Sequence, residues 1–423
     1  MQLYEHQKKV LKETKQFNRV GYFLDMGLGK TFVGSEKAVQ LGKHILVVCQ
    51  KSKVQDWVNH FIYNQLSNCL IYDLTIKEGY NDFIHLVQYT PKQQMLGIIN
   101  YELVFRKQEL LNLSNFTLLL DESSMITNPT AKRTKFIQKL RAENCILLSG
   151  TPTGGKYEKL WSQLQLLGWK ISRKAFYERY IITKKINVGN GMYIDIVQGY
   201  KNIGELKEKL KEYGCVFLKT DEVLTLPEMI FIEKQIENSK VYIEFMKKDY
   251  IKLDDIELIG DTSLKKLLYA RQLCSTYSKE KLVSFKDLIE STEDRVIVFY
   301  NFTSELEVMQ KVIDRPISIV NGAIKDLANY EEKENSITFI QYQAGAMGLN
   351  LQKANKIIYF SLPLQSDLFE QSKKRIHRIG QNLSCFYYLL VVKNTVEEDI
   401  YKTLKARKNY DDKLFLKEIE NAI

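Results

Sequence analysis

The stretch Asp25-Met26-Gly27-Leu28-Gly29-Lys30-Thr31 decides how the chain is read. Ahead of it, Val20-Gly21-Tyr22-Phe23-Leu24 is a short apolar run of strand type, and behind it Phe32 to Leu41 carries a helical pattern. Strand, glycine loop and helix are the context of a phosphate-binding loop. Glycines let the backbone pass close to a ligand, so that the N–H groups of Gly27, Leu28 and Gly29 and the positive end of the next helix face the phosphates. Lys30 then reaches the β and γ phosphates, and the Thr31 hydroxyl ligates Mg²⁺. The commonest form of the loop has a glycine where this chain has Leu24. A glycine-rich turn capping an ordinary helix shares the spacing, so the rest of the chain has to decide.

A chain of 423 residues, 45% hydrophobic, can bury a large core and has the length of about two or three domains. Lys and Arg number 61 against 51 Asp and Glu, a net charge of +10 that is compatible with a polyanionic partner but is spread along the chain. Cysteines at 49, 69, 145, 215, 274 and 385 form no Cys-x-x-Cys pair, the usage of a reduced intracellular protein. Histidines at 6, 44, 60, 85 and 377 form no metal-spaced pair, so zinc is not expected. Met1 to Val10 is polar where a signal peptide is apolar, and no run approaches the roughly eighteen apolar residues of a membrane span. The expected location is the cytosol, away from any membrane.

Along the chain, Gln2 to Phe17 reads as a helix bearing His6 and Gln7 near its start. The Gln7 amide can read a purine, since it donates and accepts at once. Ile45 to Cys49 is a continuous apolar run of buried parallel-strand type leading into Gln50-Lys51-Ser52-Lys53, and Gln94 to Tyr101 repeats the pattern. Polar residues at the carboxyl ends of such strands face the ligand crevice, and nucleic-acid phosphate contacts are expected in these loops, at Lys51, Ser52 and Asn100.

Phe116 to Leu120 runs straight into Asp121-Glu122. Beside a phosphate loop, the first carboxylate holds Mg²⁺ and the second orients or deprotonates the attacking water; alone, such a pair also serves as a helix cap. Cys145 to Leu148 ends in Ser149-Gly150-Thr151-Pro152-Thr153, small hydroxyl residues on a sharp turn able to relay the γ-phosphate state or simply to make a β-turn. Helical patterns dominate from about Leu160 to Glu290. A second strand-and-helix series begins at Arg295 to Tyr300 and continues through Ile337 to Ile340 and Lys356 to Phe360. It is followed by Glu370-Gln371-Ser372-Lys373-Lys374-Arg375-Ile376-His377-Arg378-Ile379-Gly380-Gln381. Arg375 and Arg378 share one face if that stretch is helical.

In order, these stretches resemble the Swi/Snf-like ATPases of helicase superfamily two over nearly the whole chain. His6-Gln7 resembles the adenine-reading motif, Asp25 to Thr31 motif I, Leu46 to Trp57 motif Ia, Ile99 to Leu103 motif Ib, Asp121 to Ser124 motif II and Leu148 to Pro152 motif III. Val296 to Thr303 resembles motif IV, Gly345 to Leu351 motif V, Gln371 to Gln381 motif VI and Leu218 to Pro227 the linking segment. Arg-x-His-Arg-Ile-Gly-Gln is the most specific of these. Motif II has Ser124 where the family often has histidine, and Phe217-Leu218-Lys219 stands where paired arginines are usual.

The resemblance implies an α/β protein of two RecA-like parallel-sheet lobes with helical insertions between them. The expected division is 1–168 for the nucleotide-binding lobe, 169–226 for a helical insertion and linking segment, 227–290 for a helical part of the second lobe and 291–423 for its RecA-like part. It implies an ATP- and Mg²⁺-using, DNA-stimulated motor on double-stranded DNA, gripping the backbone without regard to sequence. Lys30, Asp121, Glu122, Arg375 and Arg378 would do the chemistry, with Thr31 and Asp121 on the metal. Ser149, Thr151, Gly348 and Gln371 would couple hydrolysis to movement, and Thr303 and Gln343 would join Lys51, Ser52 and Asn100 on DNA. No stretch is left over for a histone-reading module, as in a stripped bacterial or viral motor. A helicase acting on forked DNA or RNA, a nucleotide-gated clamp and a subunit of a larger assembly share many of these features.

Overall fold

The computed structural model describes residues 3–25, 27–64, 69–89, 93–150, 152, 156–187, 193–223, 226–253, 256–345 and 349–406. The chain divides into two units, Met1–Leu224 and Thr225–Ile423. Each is built on its own seven-stranded sheet.

In the first unit, β1 (Arg19–Leu24), β2 (His44–Cys49), β3 (Leu70–Asp73), β4 (Met95–Asn100), β5 (Phe116–Asp121) and β6 (Asn144–Leu148) are the expected apolar runs. The sheet order is β3-β4-β2-β5-β6-β1, with a seventh strand beside β1, and every pairing is parallel. Alternate residues of one strand enter different cores: Leu118 and Leu120 lie in one apolar cluster, Leu119 in another on the opposite face. A strand buried on both faces has no polar side, which is why these segments read as unbroken apolar runs. Helices α1 (Glu5–Glu13), α2 (Lys30–Gln40) and α3 (Val54–Tyr63) supply Val10, Leu11, Val33, Ala38, Trp57 and Phe61 to one of these clusters. Gly34 lets α2 close on β6, since a Cβ there would stand 2.9 Å from Leu148.

The first helix is shorter than the span 2–17. It ends at Glu13, where the Thr14 hydroxyl bonds the Val10 carbonyl (2.8 Å) and meets the Tyr22 hydroxyl (2.8 Å). Beyond residue 160 the helices Arg173–Tyr180 and Ile203–Glu212 form, but strands join them. An antiparallel hairpin is made by β7 (Ile181–Asn187) and β8 (Tyr193–Tyr200), and β9 (Cys215–Leu218) becomes the seventh strand.

The second unit has β10 (Met229–Ile236), the hairpin β11 (Tyr250–Leu253) and β12 (Ile256–Ile259), then β13 (Val296–Tyr300), β14 (Ile317–Val320), β15 (Lys325–Asp326), β16 (Ile337–Gln341), β17 (Lys356–Tyr359) and β18 (Cys385–Val392). Its sheet order is β10-β18-β17-β13-β16-β14-β15, parallel except for β14 with β15. Helix Ser263–Cys274 buries Leu267, Ala270, Leu273 and Cys274 at helical spacing against this core. The parallel-sheet α/β architecture in two lobes is thus the one expected. Among the described residues no helix is long and apolar enough to cross a membrane.

Candidate functional site

Strands β5, β6 and β1 are neighbours, with Asp121 in register with Leu148 and Leu148 with Tyr22. Parallel strands end at one edge of their sheet, and the residues that follow them gather there. The loop at 25–31, the turn at Asp121-Glu122 and the turn from Ser149 therefore line a single edge, although 24 to 149 spans most of the unit.

In the loop, Gly27 (φ +90°) and Gly29 (φ +74°) take the left-handed conformation that other residues resist. Gly29 caps α2, whose first residue is Lys30, so the unbonded N–H groups of that helix's first turn belong to the loop. The Lys30 ammonium donates to the Leu24 carbonyl at 3.1 Å. Gln7 is buried against the loop: its Oε1 accepts from the Tyr4 N–H (3.0 Å) and its Nε2 donates to the Leu28 carbonyl (3.1 Å). A Cβ on Gly29 would stand 2.1 Å from that nitrogen, so the glycine makes room for Gln7 as well as for a phosphate. Asp25 Oδ2 accepts from the Thr220 N–H (3.1 Å) and hydroxyl (3.3 Å), tying the loop to the chain after β9.

The carboxylates are supported from three directions. The Trp57 indole N–H on α3 donates to Asp121 Oδ2 at 2.9 Å, and the Tyr101 hydroxyl donates to the Asp121 carbonyl at 2.9 Å. Burial, with the nearby Asp121 charge adding, pushes the Tyr101 hydroxyl well above its ordinary value, so it stays a donor. Glu122 sits at φ +54°, ψ +62°, a left-handed conformation that costs a non-glycine residue about 1–3 kcal/mol. Ser149 Oγ is 3.5 Å from Glu122 Oε2. The turn is drawn further inward by Ser123, whose hydroxyl donates to Gln163 Oε1 (2.8 Å), while Gln163 Nε2 donates to the Pro152 carbonyl (2.8 Å).

This donor set fits Mg²⁺. Among the described residues no group of three or more His, Cys, Asp or Glu side chains converges as an ion cage. One hydroxyl and one carboxylate suit an ion that keeps several waters and binds chiefly through substrate phosphates.

In the second unit, helix Ser366–Lys373 carries the half-buried Gln371 and stops before the arginines. Arg375 and Arg378 thus lie in turns, not on one helical face. The chain turns because Gln381 Nε2 donates to the Ala354 (2.9 Å) and Gln352 (3.2 Å) carbonyls and Ile376 is fully buried. Arg375 is 4% exposed, and Arg378 donates to the Leu349 carbonyl at 3.2 Å. Burial lowers the pKa of Arg378 from its ordinary value, which makes an anion beside it the more favourable. His377 Nε2 lies 2.9 Å from the Pro227 carbonyl. Burial lowers the His377 pKa, so the ring is neutral and donates.

Lys51 and Ser52 lie beyond the end of β2 and Asn100 ends β4; Lys51 and Asn100 line an open groove of about 580 Å³ with Gln55, Asp73, Glu102 and Arg106. Thr303 is exposed at the start of helix Thr303–Gln310, and Gln343 is exposed in the turn Tyr342–Gly345. Thr151 and Gly348 lie outside the described residues. Sequence reading missed Gln163, and placed Trp57, Tyr101 and Ser123 in motifs without a task of their own.

The SNF2-related domain family matches residues 6–279, and the helicase conserved C-terminal domain matches 280–380. The putative ATP-dependent helicase/translocase YwqA of Bacillus subtilis is 23% identical over 442 residues, covering 93% of this chain and 46% of the relative. The mouse SWI/SNF-related matrix-associated actin-dependent regulator of chromatin subfamily A member 1 is 23% identical, covering 92% and 40%. The yeast DNA repair and recombination protein RAD26 is 26% identical, covering 67% and 30%. A solved SWI2/SNF2 ATPase core of Sulfolobus solfataricus in complex with dsDNA has a TM-score of 0.44 at 19% identity, covering 96% of this chain and 91% of that one. The chain spans less than half the length of these curated relatives.

Proposed function

The chain belongs to the SNF2-related family, and on that footing we propose that it is a DNA-stimulated ATPase that moves along double-stranded DNA by its backbone. The observation that carries the proposal is the single sheet edge on which strand order assembles the Lys30 loop, the Asp121-Glu122 pair and Ser149.

ATP is the substrate. The N–H groups of Gly27 to Lys30 and the start of α2 bind its phosphates, and Lys30 exchanges the Leu24 carbonyl for them. Thr31 and Asp121 hold Mg²⁺, which supplies charge neutralisation at the transferring phosphoryl. Trp57 fixes the carboxylate of Asp121, and Glu122 accepts the proton of the attacking water. Arg375 and Arg378 add positive charge in the transition state, the task of an arginine finger. Lys51, Ser52, Asn100, Thr303 and Gln343 contact the DNA backbone. Ser149, Thr151, Gly348 and Gln371 pass the state of the nucleotide to those contacts. Phosphate grip makes affinity fall steeply with salt and nearly independent of sequence.

Phosphate release measured in parallel with duplex, single-stranded and forked DNA and with RNA tests this reading. Stimulation by duplex, joined to displacement of a triplex-forming strand without separation of the duplex, is the expected outcome. Stimulation by RNA or fork alone, with strand separation, would replace the proposal with a helicase.

A further inference from the structure

The turns after β5 and β6 are joined twice. One link is direct, Ser149 Oγ to Glu122 Oε2. The other passes through Gln163, fully buried in helix Trp161–Leu167, where its neighbours Leu160, Leu164, Leu166 and Leu167 are all core residues. An amide in such a place is costly unless both its ends are bonded, and both are bonded outside its own helix. Oε1 takes the hydroxyl of Ser123, which is also fully buried, and Nε2 takes the carbonyl of Pro152. A leucine would fill the same space, so packing does not call for glutamine. The bond matters where it lands. Ser123 directly follows Glu122, whose backbone is held in the left-handed region and so needs an external support.

We propose that Gln163 is a positioning residue for hydrolysis. By holding Ser123 it fixes the strained Glu122 backbone, aims the Glu122 carboxylate, and links any shift of that carboxylate to Pro152, as the direct bond links it to Ser149. This rests on the reading of Glu122 as the group that activates water. The chain has Ser124 at the fourth place of this motif, and the bridge leaves from the third.

The test is a double-mutant cycle on the full chain with Gln163→Leu, Ser123→Ala and both together, with Glu122→Gln as reference. Supporting partners of a functional group act on a scale of about ten- to a hundredfold. Each single variant is expected to lower duplex-stimulated kcat by about tenfold or more, with KM for ATP and nucleotide affinity within about twofold. The double variant should fall no further than the worse single, because one bridge is broken once. Parental kcat in Gln163→Leu, or losses that multiply in the double variant, would overturn the proposal. A lower melting temperature with unchanged kcat would make the bridge structural only, and so overturns it too. If Gln163→Leu fails to fold, Ser123→Ala decides, since it removes only one hydroxyl: parental kcat there overturns the proposal. Glu122→Gln separates the two claims: if it turns over normally, the reading of Glu122 itself is lost, whereas an inactive Glu122→Gln beside a normal Gln163→Leu sinks the bridge alone.

Discussion

The phosphate-loop edge of the first unit and the Arg375–Gln381 stretch of the second carry charge in opposite ways. At the first, Lys30, Asp121 and Glu122 stand at or beyond the ends of β1 and β5, the two strands that flank β6, so sheet topology alone brings them to one edge. At the second, the same stretch both makes its shape and carries its charge: Ile376, His377 and Gln381 hold the turn, with Arg375 buried in it and Arg378 tied to the Leu349 carbonyl. A motif's specificity in sequence therefore says little about which of its residues touch substrate. The sharpest test of the difference pairs Arg378→Ala with Lys30→Ala. Loss of an arginine finger is expected to lower turnover on the order of 10³-fold or more while ATP affinity measured by calorimetry is kept. Lys30→Ala should instead abolish detectable nucleotide binding. An Arg378→Ala protein that turns over at the parental rate would take Arg378 out of the chemistry.

The next largest effect concerns stability and falls on the second unit only. Lys281 and Glu397 form a buried ion pair, with Lys281 Nζ 2.5 and 2.7 Å from the two carboxylate oxygens and the Val392 N–H on one of them at 3.0 Å. Burial raises the Glu397 pKa from its ordinary value, with Lys281 opposing. Lys281→Met strands that carboxylate, at a cost of about 3–5 kcal/mol. Calorimetry should show the second unit melting earlier and the first unchanged. The sign with pH follows: a carboxylate whose folded pKa is raised destabilises the fold in full above that folded value, and the penalty is relieved as pH falls from the folded value toward the unfolded one. The deficit should thus shrink on acidification, and a deficit that grows would contradict the assignment.

Much of this was legible in the chain because of burial on two faces. β2, β5, β13 and β16 are covered above and below, so each appears as an unbroken apolar run. β10 is an edge strand whose Met229, Phe231 and Ile232 stay exposed, leaving neither an alternating nor an unbroken pattern to read. The hairpin strands β7 and β8 are exposed on both faces except at their base, where Ile181 is buried, and fail for the same reason. Within the site, residue types were readable and partners were not. Trp57 meets Asp121 across 64 positions and Gln163 meets Ser123 across 40, distances over which no local spacing carries information. The turn at Arg375 was hidden because its cause, the reach of Gln381 to Ala354 and Gln352, lies in the fold.

A smaller effect separates grip from metal within the first unit. Trp57→Phe keeps an aromatic ring beside His60 and Phe61 and removes only the N–H on Asp121. On the proposed role of Asp121 in holding Mg²⁺, such a support is worth about tenfold. The Mg²⁺ concentration for half-maximal phosphate release should rise by about that factor, with ATP affinity in the absence of metal unchanged. An unaltered Mg²⁺ dependence would leave Asp121 without need of the indole.

The smallest effect lies in the seam between α2 and α3, behind the phosphate loop. His60 Nε2 is 2.9 Å from Ser35 Oγ, which also donates to the Phe32 carbonyl at 3.1 Å, and the ring is met edge-on by Phe32, Trp57 and Phe61. Asn64 Nδ2 approaches Nδ1 at 3.3 Å, so a neutral ring with its proton on Nε2 satisfies both sides, and burial lowers the pKa to about 4. In the unfolded chain the same ring titrates near 6.5. Between those values the unfolded state binds a proton that the folded state refuses, so the stability this ring contributes is complete above about pH 6.5 and is lost as pH falls toward 4. His60→Phe fills the same aromatic pocket and has nothing to titrate. Its unfolding midpoint should decline less steeply than the parent's as the buffer is taken from pH 7 to 4.5, with His377 contributing equally to both. Parallel slopes would mean that the imidazole accepts its proton in place, and the seam would then be held by apolar packing without the Ser35 hydroxyl.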